Sequence, residues 1–320
     1  MRALIGRGRR EGVAFSLSEA QRKAVLVYCE IAASSGALVS IEDLADLLTV
    51  DATEEELEEA ISSDESLAPK VYVESGLVAL LSPGSDRATA RKAIEEGERR
   101  RRRALSNIQA AKVFSRLFSK GTMFVAVAGT NSYLSALEGD DIDFYCITKT
   151  DGMWAFMLKA LVLSRVISSV RRSTPPFCFS YVMDKWQAID EPRSLMTAVH
   201  ARDTLMAKVI TGEPTYHAVL EGSSWMKSVF PSLYERRLRE TGPPQERPPS
   251  AGKGSRILNL WLFHTVGPYL ALKAWVLNRR LAKHGDQDAV FKAWIEPGRL
   301  EYASRRYLEL GKMYEALEKR

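Results

Sequence analysis

The stretch Val127-Ala128-Gly129-Thr130, followed after ten residues by Asp141-Ile142-Asp143-Phe144, decides how this chain is interpreted. Residues 123–128 form a short apolar run that predicts a strand. Residues 131–137 predict a short helix, and residues 142–148 predict a second strand. The sequence therefore predicts a strand–helix–strand unit with a glycine turn at the end of its first strand.

Two carboxylates, Asp141 and Asp143, stand at the start of the second predicted strand with one apolar residue between them. Because side chains alternate along a strand, both carboxylates project from the same face. Like charges at that spacing repel each other unless a cation lies between them. Hard oxygen ligands suit Mg²⁺ or Mn²⁺, so Asp141 and Asp143 are the predicted metal ligands and catalytic residues.

The turn at Gly129-Thr130 is suited to phosphate. Glycine allows the backbone to approach a ligand closely, and the hydroxyls of Thr130 and Ser132 can donate to phosphate oxygens near the start of the predicted helix. Gly129, Thr130 and Ser132 are therefore the predicted nucleotide-binding residues. A phosphate cradle beside a carboxylate pair could hold a metal-bound triphosphate while a nucleophile attacks in line.

Residues 127–130 and 141–144 together resemble the signature of the DNA polymerase β-type nucleotidyltransferase superfamily. The resemblance implies an α/β (α+β) core with a mixed sheet. It also implies metal-dependent transfer of a nucleotidyl group from an NTP to an acceptor, which could be RNA, a protein or a small molecule. Thr130 stands where serine is usual. The spacer between the two motifs lacks an arginine often present in small members.

The same resemblance implies a third carboxylate on a later strand. The candidate is Asp184, at the end of a predicted strand over residues 177–183, where it would share one face with Cys178 and Ser180. An aspartate that simply ends a strand is the alternative interpretation, because Asp is common at such boundaries.

Three helix starts and a hairpin precede this core. Ser18, Ser40 and Thr53 are predicted N-caps, and Glu56 completes a capping box with Thr53. Residues 70–81 form two β-rich runs around a turn and predict a hairpin. This order resembles a winged-helix domain, and the domain followed by an arginine-rich helix and the core is similar to a group of prokaryotic nucleotidyltransferase-domain proteins.

The third predicted helix of this N-terminal domain is acidic, which argues against sequence-specific DNA binding. Its carboxylates would repel phosphates rather than neutralise them. A protein contact or a structural role is the favoured interpretation. The acidic residues are Glu54, Glu55, Glu56, Glu58 and Glu59.

A charged helical pattern follows, with five consecutive arginines at residues 99–103. Glutamates lie close before them, so a solvated connecting helix with Glu–Arg pairs is the favoured interpretation. A stripe that binds RNA or phosphate is the alternative.

Beyond residue 195 the pattern predicts helices throughout, interrupted by a Pro/Gly-rich linker. An apolar run at 258–277 contains His264, Gly267-Pro268 and Lys273, so it predicts a buried helix rather than a membrane span, and no membrane partner is expected. The predicted segments are the winged-helix-like domain 1–84, connecting helix 85–120, nucleotidyltransferase core 121–194, helical extension 195–241, linker 242–254 and C-terminal helical region 255–320.

Composition sets wide limits on function. The chain has 320 residues, 46% hydrophobic content and a formal net charge of +5, which is typical of a soluble globular protein and compatible with nucleotide partners. Its three cysteines lie far apart in sequence and indicate a reducing cytoplasm.

Two functions remain open at this level. The first is an active nucleotidyltransferase that uses the carboxylate pair. The second is a catalytically impaired nucleotide-binding or regulatory protein that recruits a protein or nucleic acid. A nucleotidyltransferase component of a toxin–antitoxin or similar defence pair is a third possibility that no sequence feature selects.

Overall fold

The computed structural model describes residues 15–34, 37–50, 52–81, 86–170, 175–190, 197–242, 255–287 and 289–318. The chain divides into two compact units, Met1–Glu95 and Glu96–Arg320, and the division falls within the helix Arg87–Phe118. Residues 243–254 of the predicted linker lie outside the described residues.

The first unit contains the predicted three helices and hairpin, which are confirmed. A two-residue strand that pairs with the hairpin was not predicted, and it completes a three-stranded sheet of order β1-β3-β2. The elements are α1 Glu19–Ser34, β1 Val39–Ser40, α2 Ile41–Leu48, α3 Glu54–Ser63, β2 Val71–Glu74 and β3 Leu77–Leu80.

Local chemistry explains why these elements begin and turn where they do. Ser40 caps α2 by accepting a hydrogen bond from the backbone N–H of Asp43, and Thr53 and Glu56 form the predicted capping box of α3. Between β2 and β3, Ser75 and Gly76 both have positive φ, which is the conformation that two-residue hairpin turns require.

The second unit is built on one six-stranded sheet, covered by helices. Its elements, including the helix that leads into it, are α4 Arg87–Phe118, β4 Thr122–Val127, α5 Gly129–Ser132, β5 Ile142–Thr148, α6 Met153–Val170, β6 Phe177–Asp184, a π-helical turn Trp186–Asp190, α7 Ala198–Met206, β7 Lys208–Thr211, α8 Glu213–Gly222, α9 Met226–Val229, α10 Pro231–Glu240, α11 Arg256–Lys283, β8 Phe291–Glu296, β9 Arg299–Ser304 and α12 Arg305–Glu318.

The sheet has the order β7-β4-β5-β6-β9-β8. Only β5 and β6 are parallel among these pairs of described strands, and α6 connects them. The other neighbours are antiparallel. The unit is therefore a mixed α/β structure, as the sequence predicts, and the predicted strand over residues 142–148 is confirmed as β5.

The prediction that the chain is helical beyond residue 195 is wrong. Strand β7 pairs with β4, and the β8–β9 hairpin extends the sheet from β6. β7 has four residues, too few for a clear period, and charged residues interrupt β8 and β9. The turn signal between β8 and β9 is Pro297-Gly298.

Aromatic side chains fill the core between the sheet and helices α4, α6 and α11. Phe114 and Phe118 of α4 contact Phe144 of β5 and Phe179 of β6 edge-on or tilted. Such pairs stabilise a core beyond the area that they bury. Because Phe144 points into this core, its neighbour Asp143 faces the opposite side of the sheet.

Helix α11 is buried along one stripe only, which corrects the prediction of a fully buried helix. Leu262, Val266 and Leu270 belong to the core, and Asn259 accepts a hydrogen bond from the backbone of Trp154 at the start of α6. By length and composition α6 is the one described helix that could cross a membrane, but its first two turns are packed into this core.

Gly212, between β7 and α8, packs closely against the backbone of β4. Its φ is +88°, and an added Cβ would lie 2.0 Å from the carbonyl oxygen of Met123. We expect Gly212→Ala to lower the free energy of unfolding by about 3 kcal/mol or more, because backbone must move to admit the methyl group. Urea denaturation measures this change.

Gly285→Ala is the matched control, since Gly285 has a φ of +80° with nothing within 4 Å of an added Cβ. This variant should lower the free energy of unfolding by about 1–2 kcal/mol, the cost of placing alanine at positive φ without a steric clash. Equal destabilisation by the two variants would contradict the tight packing of Gly212 against β4.

Candidate metal and nucleotide site

The site begins with a direct contact between Gly129 and Asp143. Strands β4 and β5 pair antiparallel up to Val127 and Phe144, and the Ala128 N–H donates to the Asp143 carbonyl oxygen at 2.9 Å. Gly129 follows with a φ of +63°, and a Cβ there would lie 2.6 Å from Asp143 Oδ2. The glycine turn and the second carboxylate of the predicted motif therefore meet.

Asp141, Asp143 and Cys178 form a three-membered cluster. Asp143 is in register with Cys178 across the parallel β5–β6 pair. One ligand atom from each of the three residues lies within 4.8 Å of the others. Asp141 is exposed, while Asp143 and Cys178 are half-buried. The cluster thus opens toward solvent on the Asp141 side.

The electrostatics of the cluster favour an added positive charge. Burial and then the charge of Asp141 raise the pKa of Asp143 to about 7. Although Asp141 is exposed as a residue, the protein atoms around its carboxyl group partly desolvate it and raise its pKa. Burial and the two nearby carboxylates raise the pKa of the Cys178 thiol. At neutral pH without a cation, the two carboxylates therefore resist full ionisation.

The cluster fits a divalent cation. Two carboxylates supply hard oxygen ligands, and the missing Cβ of Gly129 leaves space beside Asp143 that any other residue would fill. The thiol of Cys178 is a soft ligand, so the donor set is mixed. Of the two expected cations, Mn²⁺ tolerates such a set better than Mg²⁺ does, and Zn²⁺ tolerates it as well.

Asp184 is not brought to this cluster. Its register partner is Thr148 at the far end of β5, six residues from Cys178 and hence about 20 Å along the strand. Asp184 Oδ1 accepts a hydrogen bond from the Gln187 N–H, and its carboxylate packs against Gly298 in the β8–β9 turn. The residue has the strand-end role that was the alternative interpretation.

The hydroxyls predicted to contact phosphate are engaged inside the protein. Thr130 donates to Asp140 Oδ2 at 2.9 Å, and Ser132 is buried and donates to the Gly129 carbonyl oxygen at 2.8 Å. Helix α5 has four residues, shorter than predicted, and no side chain caps its N-terminus. The hydroxyl protons of Thr130 and Ser132 are therefore already donated within the protein.

Two buried asparagines, which sequence reasoning missed, hold Asp141 in place. Asn131 donates from Nδ2 to the Asp141 carbonyl oxygen at 2.9 Å, and Asn107 of α4 donates to Asn131 Oδ1 at 2.8 Å. The chain of hydrogen bonds connects the arginine-rich helix to the carboxylate motif. Neither asparagine belongs to a recognisable motif, so the sequence carried no signal for this role.

Two arginines contact the spacer loop that follows α5. Arg103 donates to the carbonyl oxygen of Ala136 at 3.1 Å. The guanidinium of Arg202, on α7, lies 4.4 Å from the ring centroid of Tyr133. The spacer itself has no arginine, but α4 and α7 bring positive charge to it.

The sheet opens beside the cluster, between β6 and β9. These strands pair only from Tyr181 to Met183 among the described residues. Phe177–Ser180 of β6 pairs with β5 alone, and residues 302–304 of β9 pair with β8 alone. A cavity of 630 Å³, which we name the β6–β9 cleft, is lined by both strand segments together with Gly129, Asp141 and Asp143.

Polar groups from α7, β9 and α12 also line the β6–β9 cleft. Burial raises the pKa of Asp203 to about 7, although a hydrogen bond with Tyr307 opposes this effect. Burial and the charge of Arg299 lower the pKa of His200 to about 4. Glu301 is ion-paired with Arg299. Asp203 is thus a carboxyl group that changes charge near neutral pH within the cleft.

None of the protein-family models, curated proteins or solved structures compared with the chain matches it.

The pKa of Asp143 predicts how stability depends on pH. Folding raises the pKa of Asp143 from its unfolded value near 3.9 to about 7. The free energy of unfolding of the metal-free protein therefore falls as pH rises from about 4 to about 7. Asp143→Asn removes this penalty. At about pH 8 with a chelator, we expect the variant to be more stable by about 1–2 kcal/mol, with a gap that closes at about pH 4.

Thermal unfolding followed by circular dichroism checks this expectation. Glu138→Gln, at an exposed carboxylate in the spacer loop, is the control and should leave the melting temperature unchanged at both pH values. If Asp143→Asn destabilises the protein at the higher pH, ionised Asp143 does not carry the expected cost of burial and of repulsion by Asp141.

Proposed function

We propose that this protein is a metal-dependent nucleotidyltransferase that moves a nucleotidyl group from an NTP to an acceptor. The observation that carries the proposal is the close approach of Gly129 to Asp143, with a carboxylate oxygen of Asp141 within 4.8 Å of one of Asp143. A glycine turn against a carboxylate pair provides adjacent places for a triphosphate and its metal.

Each residue has a defined role in this proposal. Asp141 and Asp143 hold the cation, which would neutralise phosphate charge and polarise the α-phosphate. The backbone at Gly129 approaches the phosphates. Arg103 and Arg202 hold positive charge against the spacer loop, where the family pattern would have its own arginine.

The β6–β9 cleft is the proposed acceptor site. Its 630 Å³ suits a small molecule, an amino-acid side chain or a terminal nucleotide. The acceptor hydroxyl oxygen forms a bond to the α-phosphorus as the bond between that phosphorus and the leaving pyrophosphate breaks. The hydroxyl proton passes to ionised Asp203. Tyr307 and Tyr314, both on α12, are titratable groups that interact with Asp203 from another element.

Labelled NTPs test the reaction. With Mg²⁺, Mn²⁺ or Zn²⁺ and candidate RNA, protein and small-molecule acceptors, transfer should fall about a hundredfold or more in Asp141→Asn and Asp143→Asn, because the cation loses a ligand. Glu138→Gln is the control. Wild-type protein that binds no nucleotide with any of these metals would rule out the proposed site.

Asp203→Asn tests the role of the cleft separately. We expect the rate of transfer to fall about a hundredfold while metal-dependent nucleotide binding stays intact, because only proton transfer is removed. In wild type the rate should rise with pH through about 7, the value at which Asp203 ionises. A variant that keeps both the rate and the pH profile would remove Asp203 from the mechanism.

A catalytically impaired nucleotide-binding or regulatory protein is the second candidate, and Cys178 favours it. A thiol occupies the position beside Asp143 where the resemblance implies a third carboxylate. Metal-dependent nucleotide binding without transfer would identify this second function. Cys178→Asp would then be the variant expected to gain transfer.

The first unit supports a winged-helix interpretation, which we also propose. Its element order and three-stranded sheet agree with that domain. Glu54, Glu55, Glu56 and Glu59 of α3 are exposed, so a protein contact is favoured over DNA.

The arginine run is partly neutralised by two glutamates in its own helix. Arg99 and Arg100 pair with Glu96, and Arg102 pairs with Glu98. The solvated connecting helix therefore remains the favoured interpretation.

All three cysteines are free, which supports the proposed cytoplasmic location.

A further inference from the structure

The outer side of α11 is apolar and exposed along most of its length. Ile257 is 84% exposed, Trp261 62%, Leu272 60% and Trp275 54%. They are separated by four, eleven and three residues, which are close to whole numbers of helical turns, so they lie opposite the stripe that packs on the sheet. Exposed tryptophans in such a row are unusual on a soluble surface.

Helix α6 carries a second exposed apolar stripe beside the first. Leu158, Val162, Val166 and Val170 recur every four residues and are all exposed, and Val170 is 76% exposed. Helices α6 and α11 share one core cluster, so their outer sides adjoin. We name the two exposed stripes together the α6–α11 face.

The positive charge of α6 and α11 favours an anionic partner for the α6–α11 face. Neither α6 nor α11 contains an aspartate or a glutamate, and Arg279 lies over the ring of Trp275 at 4.8 Å from its centroid. A second copy docked through the same face would bring like charges together. The basic residues on the two helices are Lys159, Arg165, Arg256, Lys273, Arg279, Arg280 and Lys283.

We propose that the α6–α11 face binds the surface of an anionic phospholipid bilayer, with α11 lying in the plane of the interface. Apolar and aromatic side chains would enter the headgroup–acyl boundary, where Trp and Tyr are enriched. Arginines and lysines would meet anionic headgroups. The inference does not depend on nucleotidyl transfer, and it departs from the sequence expectation of no membrane partner.

The bilayer contact is peripheral rather than spanning. The buried side of α6 holds Trp154, Phe156 and Met157 in the core, and that of α11 holds Leu262 and Leu270. Insertion of either helix across a bilayer would pull these residues out of the sheet packing. Only the outer stripes are available to lipid.

Vesicle co-sedimentation tests the proposal with the full chain. We expect binding to phosphatidylcholine vesicles that contain phosphatidylglycerol, and weak binding to phosphatidylcholine alone. Arg279→Gln with Arg280→Gln should weaken binding about fivefold for each charge removed, and added salt should weaken it as well. Trp261→Glu should abolish binding, because a carboxylate replaces an aromatic anchor.

Val113→Glu is the matched control, since Val113 on α4 is 58% exposed and lies outside the face. It should bind vesicles as wild type does, and circular dichroism should show that all variants fold. Equal binding to both vesicle types, or no binding to either, overturns the proposal. So does a concentration-dependent dimer in light scattering that Trp261→Glu dissociates, which would make the face a self-interface.

Discussion

The close approach of Gly129 to Asp143 is the constraint on which the candidate site depends. The turn needs a positive φ and has no room for a side chain, because a Cβ would meet the carboxylate. Strand β4 therefore ends where the carboxylate motif begins on β5, and the hydrogen bond between Ala128 and Asp143 fixes this register. The buried Asn107–Asn131 pair then connects the same turn to α4. Together these contacts connect β4, β5 and α4 around the Gly129 turn.

The second decisive feature is the incomplete pairing of β6. Its later half continues the sheet into β9, while its first half has only β5 as a described neighbour. That gap places the β6–β9 cleft beside Asp143, so the sheet that supports the carboxylates also supplies a cavity. Asp203 reaches the cleft from α7, outside the strand–helix–strand motif. The split sheet explains how the carboxylate pair and Asp203 come to line the same cavity.

Electrostatic imbalance distinguishes two surfaces of the second unit. At the carboxylate cluster, negative groups lie together with raised pKa values, and a cation would relieve their repulsion. On the α6–α11 face, cations and aromatic residues occur without any carboxylate from the two helices. A fold gains no stability from either arrangement alone. A bound cation would supply the missing positive charge at the carboxylate cluster, and an anionic surface would supply the missing negative charge at the α6–α11 face.

Sequence alone was enough to predict the elements whose signals are local: the capped helices and hairpin of the first unit, the bounds of β5, and the proximity of Asp141 and Asp143. Helix period, capping residues and strand alternation depend on neighbours a few residues apart. The tertiary structure alone decided that Cys178, rather than Asp184, lies beside Asp143, because strand register depends on packing between distant segments. It also decided that β7, β8 and β9 complete the sheet, since short or charge-interrupted strands gain their stability from pairing and not from their own pattern.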